Sequence, residues 1–153
     1  MSTWSTHTEV SGTPDDVIAV LGDPDAIRRW SPIDFTLDGI DGDRLDAGTH
    51  ARVSGGIAGR RASFDVNVEQ AGDGRFALNA SGPIDLDVEY EAFRDGEVTQ
   101  VWATVHVRGG GLIGRLLAQA TDALLAAGAL DRALGRIADE IDDFAGDRMA
   151  LAA

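Results

Sequence analysis

The chain contains no cysteine and no lysine. The first absence excludes disulfides, thiolate nucleophiles and Cys-ligated metals, and it fits a reducing compartment. The second leaves arginine as the sole cationic side chain apart from histidine: 13 basic residues stand against 26 acidic ones, for a formal net charge of -13. Nucleic acid and anionic membrane both require a positive footprint, so neither is an expected partner. No apolar run approaches the roughly 18 residues that a membrane span needs, and no basic, apolar leader opens the chain. A soluble, cytoplasmic protein without stable membrane insertion is expected.

Recognisable chemical motifs are also missing. No Gly-x-Gly-x-x-Gly follows a strand pattern, and there is no Walker sequence and no Gly-x-Ser-x-Gly, which argues against nucleotide binding and serine hydrolysis. His7, His50 and His106 lack the short spacing of a zinc site, and no carboxylate loop has EF-hand spacing, so no metal and no cofactor are expected.

What is present is an ordered series of elements. Thr13-Pro14-Asp15-Asp16 reads as a helix start, with Thr13 capping, Pro14 at the first helical position and two carboxylates in the first turn. Val17, Ile18 and Leu21 give that helix an apolar stripe and Gly22 ends it. Asp23 and Pro24 repeat the start, and the second short helix runs through Ala26 and Ile27 to Trp30, where Pro32 forbids continuation. A Thr-rich stretch over residues 3–11 precedes the pair and reads as a strand.

Six more strands are expected after the helices. The second starts at Ile33, and the third covers Thr49 to Ile57 with a bulge or bend at Gly55-Gly56. Ala62, Phe64, Val66 and Val68 then alternate with polar residues, as do Phe76, Leu78 and Ala80, then Ile84, Leu86, Val88 and Tyr90, and finally Val101, Ala103, Val105 and Val107. Gly72-Asp73-Gly74, Ser81-Gly82-Pro83 and Asp95-Gly96 are turns of hairpin length, so the sheet should be antiparallel and meandering. Past the flexible triplet Gly109-Gly110-Gly111, apolar residues from Leu112 to Phe144 recur in steps of three and four, the mark of one long amphipathic helix with a kink or break near Gly128. A single domain over residues 1–146 and a frayed tail over 147–153 follow.

The stretch Thr13-Pro14-xx-Val17, Leu21-xx-Pro24 and Trp30-x-Pro32 resembles the opening of the SRPBCC superfamily, within it the polyketide cyclase/dehydrase and lipid-transport group related to START domains and the birch pollen allergens. The Gly109 to Leu117 junction is similar to that group's entry into its last helix. The resemblance implies an α+β helix-grip fold: a seven-stranded curved antiparallel sheet wrapped around a long C-terminal helix, with two short helices between strands one and two. It also implies an internal cavity that takes a small hydrophobic, polyketide-like or lipid-like molecule, in some members with cyclisation or dehydration.

Strand parity and the helix stripe then name the expected lining: Phe64, Val66, Val68, Phe76, Leu78, Leu86, Val88, Tyr90, Val101, Ala103 and Val105 from the sheet, with Leu117 and Leu124 from the long helix. Trp30 is expected near the cavity mouth, as is Asp34 unless it serves a cap or turn. Tyr90 is the polar member of the inward set, either orienting a ligand carbonyl or acting as an acid, against the plainer reading of a core tyrosine. Arg52 or Arg61 reaching inward would suit an anionic ligand, against the plainer reading of a solvated cation. His7, Trp102 and His106 are assigned to the outer face, and His50 has no assigned face. The row Asp65, Glu69, Asp85, Asp87, Glu89 and Glu91 is read as a solvated outer surface. Three functions stay open: a cyclase or dehydratase using Tyr90, a non-catalytic carrier or sensor, and an accessory protein resembling one that serves carbon monoxide dehydrogenase. A homodimer is left open.

Overall fold

Helix α1 (Pro14–Leu21), in the computed structural model that describes residues 1–31, 34–57 and 59–152, starts on a closed capping box. Asp16 N–H donates to Thr13 Oγ1 at 3.1 Å, and Thr13 N–H donates to the Asp16 carboxylate at 2.8 Å. Helix α2 (Pro24–Trp30) is capped by Asp23, whose carboxylate accepts from Asp25 N–H at 3.0 Å. Each helix opens on a proline, at a position whose N–H would have had no intrahelical acceptor. Pro32, expected to stop α2, and Ile33, expected to open the second strand, lie outside the described residues.

Strand β1 (Ser2–Val10) precedes these helices; β2 (Phe35–Ile40), β3 (His50–Ile57), β4 (Arg60–Gly72), β5 (Arg75–Ser81), β6 (Asp85–Asp95) and β7 (Val98–Arg108) follow. The sheet order is β1-β7-β6-β5-β4-β3-β2, with every neighbouring pair antiparallel. β2 to β7 therefore form a meander, and β1 joins it beside β7. The alternation sets the faces: Phe64, Val66, Val68, Phe76, Val101, Ala103, Val105 and Val107 are buried, while their strand neighbours are more exposed.

One expected irregularity is elsewhere. Gly55 and Gly56 pair regularly with Ala62 and Arg61, and the ladder instead shifts between Leu37 and Gly39 and between Val68 and Gln70. The residues left over there, Asp38 and Glu69, are exposed, so each bulge leaves the inward side chains in phase.

The C-terminal helix is broken in two: α3 (Gly111–Ala126) and α4 (Ala129–Ala152) meet at Gly128, whose φ of +93° is closed to most L side chains. Arg132 Nη1 covers the break by donating to Ala127 O at 2.8 Å. α4 lies along β1, α1 and α2, with Leu134, Ile137 and Ile141 almost wholly buried. Its last turns carry Arg148, whose Nε and Nη2 donate to the two oxygens of the buried Asp16 at 3.0 and 2.9 Å.

The convex face of the sheet carries the acidic row. Arg52 pairs with Asp65 at 3.1 Å, Arg108 with Asp87 at 2.6 Å and Arg75 with Glu89, which answers much of the like charge across neighbouring strands.

Candidate functional site: an internal apolar cavity

A cavity of about 360 Å³ lies between the sheet and the helices. Its sheet wall comes from Phe35, Leu37 and Ile40 on β2, Ala51, Val53 and Gly55 on β3, Phe64 and Val66 on β4, Phe76, Leu78 and Ala80 on β5, Leu86, Val88 and Tyr90 on β6, and Val105 on β7. Leu21, Pro24, Ile27 and Trp30 close it from α1 and α2, and Thr121, Leu125, Ala129, Leu130 and Ala133 from α3 and α4. The space exists because small residues meet across the interior. Ala51, Gly55 and Ala80 on the sheet and Ala129 and Ala133 on α4 do not reach far enough to fill it. Its size falls in the range of about 300–1,000 Å³ typical of small-molecule sites.

The lining carries no Asp, Glu, Arg or His among the described residues. Tyr90 is its titratable group, 6 % exposed, with its ring tilted against Phe76 at a centroid distance of 6.5 Å. Burial pushes the phenol up, so it is neutral over the physiological range. The hydroxyl has no hydrogen-bond partner among the described residues. Trp30 Nε1, in contrast, is sealed within the protein without an acceptor. The other lining hydroxyls belong to Thr121, Ser54 and Ser31: Thr121 Oγ1 donates to Leu117 O at 2.9 Å, Ser54 Oγ bonds to Asp38 and, at 3.1 Å, to Ser63 Oγ, and Ser31 at the end of α2 is engaged as well.

Of the lining expected from sequence, Trp30, Phe64, Val66, Phe76, Leu78, Leu86, Val88, Tyr90 and Val105 are in the wall. Four expected ligand contacts and Val68 are not. Val68, Val101 and Ala103 point inward but are packed into the core, with no face on the cavity; Leu117 of α3 is buried in the core in the same way. Leu124 is 40 % exposed, because α3 turns Gly114, Leu117, Ala118, Thr121 and Leu125 inward rather than its strongest leucine stripe. Small residues on that face allow close approach: a Cβ on Gly109 would lie 2.4 Å from Gly114 O. Gly109 of the triplet is thus a packing contact.

The remaining candidates lie outside. Asp34 and His50 are exposed, Arg52 is paired with Asp65, and Arg61 donates to Thr36 Oγ1 at 3.3 Å. His7 stacks on Trp102 with centroids 4.4 Å apart, and His106 Nδ1 is 2.9 Å from Thr3 Oγ1, both on the outer face. The sequence reading missed the β2 and β3 wall. Its signal was present in Phe35 and Leu37 alternating with Thr36 and Asp38, but the expected bulge at Gly55-Gly56 hid the continuation through Ala51 and Val53.

This architecture is the helix-grip fold expected from the sequence, and solved structures share it. A solved structure from Thermus thermophilus superposes with a TM-score of 0.70 at 14 % identity, covering 92 % of this chain and 97 % of that one. The Zhui aromatase/cyclase from a Streptomyces species gives 0.65 at 19 % identity, with 97 % and 95 % covered, and a START superfamily protein from Mycobacterium smegmatis gives 0.61 at 18 %, with 88 % and 96 % covered. At such identities the likeness is one of fold. No family model matches the chain. A segment of 72 residues is 33 % identical to Drosophila melanogaster Filamin-A, but the chain spans 3 % of that protein's length. No helix among the described residues is long and apolar enough to cross a membrane.

Proposed function

We propose that this protein binds a small hydrophobic or aromatic molecule, polyketide-like or lipid-like, inside the sheet–helix cavity, and acts as a carrier or sensor of it. The observation that carries this reading is the cavity itself: about 360 Å³ of space walled by apolar side chains. An empty apolar space of that size forfeits packing contacts that its lining would otherwise make, and a ligand restores them. A cyclase or dehydratase would draw support from Tyr90, yet acid–base chemistry ordinarily uses a donor and an acceptor together, and Tyr90 is alone among the described lining residues. The accessory role expects a collapsed cavity, which the open volume disfavours.

Mass spectrometry of the purified protein under native conditions tests the proposal. A bound small molecule of defined mass is expected, released on denaturation, and lost when Leu78→Trp fills the cavity in a protein that still folds. Absence of any retained molecule, together with no binding of apolar aromatic probes, overturns it.

A further inference from the structure

We infer that the cavity selects an uncharged ligand that carries a hydrogen-bond acceptor, such as a ketone or ester oxygen, and holds that oxygen with the Tyr90 hydroxyl. This rests on the reading of the cavity as a binding site and adds the chemical class of its occupant. Charge decides the first half. A carboxylate or phosphate drawn into the cavity away from its opening would lose its hydration and find no cation on the described walls, a cost that an apolar lining does not repay. Arg52 and Arg61, the cations nearest in sequence to the β3 and β4 wall, are engaged on the other face with Asp65 and Thr36.

Hydrogen bonding decides the second half. The Tyr90 hydroxyl, on a side chain that lines the cavity, has no hydrogen-bond partner among the described residues and is open to an occupant, whereas Trp30 Nε1, a donor that cannot accept, is sealed within the wall without a partner. Thr121 has already given its proton to Leu117 O, and Ser54 is engaged with Asp38 and Ser63. The Tyr90 O–H is therefore the lining donor left unmade, since the hydroxyls of Thr121 and Ser54 keep only lone pairs to offer. Leaving a buried donor unmade is costly, so a ligand that brings an acceptor gains more than one that brings only hydrocarbon. A phenol held neutral by burial suits this role, because it keeps its proton to donate.

Three probes of one shape separate the possibilities: 2-acetylnaphthalene, its oxygen-free counterpart 2-ethylnaphthalene, and the anion 2-naphthoate, titrated at about pH 7.5 with Kd taken from shifts of the cavity methyl resonances. Tyr90→Phe should weaken the ketone about tenfold and leave the hydrocarbon within about twofold. Naphthoate should bind about a hundredfold more weakly than the ketone. In the unsubstituted protein the carbonyl stretch of the bound ketone should fall below its value in hexane. A Tyr90→Phe loss that is nil or equal for ketone and hydrocarbon, a hexane-like stretch, or naphthoate binding as tightly as the ketone overturns the inference while the binding site stands. Failure of all three probes to bind overturns the binding site and this inference together.

Discussion

Burial alone would raise the carboxyl of Asp16, which is only 4 % exposed, but hydrogen bonds from Arg148 and Thr13 outweigh that and hold it below its ordinary value of 3.8. The same side chain closes the α1 capping box and tethers the end of α4, so it joins two elements 132 residues apart. Asp16→Asn should therefore cost about 1–3 kcal/mol at neutral pH, the worth of a few charge-assisted bonds at a buried acceptor. Because the folded pKa lies below the unfolded one, this stability is fully present above 3.8 and is lost as the pH falls through the folded value. Urea unfolding of both proteins between about pH 3 and pH 7 should show the gap closing in acid; a gap that stays constant would mean that ionisation of Asp16 is not its source. At this scale the sequence was informative about direction and silent about distance. Parity correctly turned Tyr90, Phe76 and Val101 inward, yet it could not tell which of them meet a helix and which meet empty space, since that depends on how far α3 and α4 stand from each strand.

Gly128 shows the same limit in the helices. The apolar recurrence from Leu112 to Phe144 reads as one stripe, but the break at Gly128 divides it between two helices, and in α3 Leu124 faces outward while Thr121 and Leu125 line the cavity. Composition marked the place of the break, but only the packing of Gly114 and Ala118 against the sheet end determined which side of α3 turned inward. The two short capped helices, by contrast, were fully legible, because caps and N1 prolines are local devices that need no tertiary partner. Two glycines of the C-terminal helices should consequently respond in opposite directions. Gly128→Ala forces a side chain into a φ of +93° and should destabilise by about 1–3 kcal/mol. Gly135, on the exposed side of α4 with nothing within 4 Å of where a Cβ would stand, should gain about 0.5–1 kcal/mol on replacement by Ala. Thermal melts of the two variants decide the matter, and a stabilised Gly128→Ala would show that the break is not required by the backbone.

The whole molecule carries a net charge of -13 with no lysine, and its acidic outer sheet is only partly answered by arginine. Two opposed effects of salt follow. Screening weakens the ion pairs, but those on the convex face are substantially exposed, with Arg52 at 58 % and its partner Asp65 at 47 %, and exposed pairs contribute at most about 1 kcal/mol and frequently nothing measurable. Screening also relieves self-repulsion, which acts among all the excess carboxylates at separations comparable to a Debye length of about 8–10 Å near physiological ionic strength. The second effect involves more charges and should win. Sodium chloride raised to about 0.5 M should therefore increase stability by about 1 kcal/mol, a rise in Tm of about 2–4 °C for a chain of this size. Chloride is the right anion for the measurement, because sulfate would stabilise through exclusion from the surface whatever the charge. A Tm that falls with salt would mean that the arginine pairs of the sheet, rather than the relief of repulsion, govern how this acidic molecule holds its curved wall around the cavity.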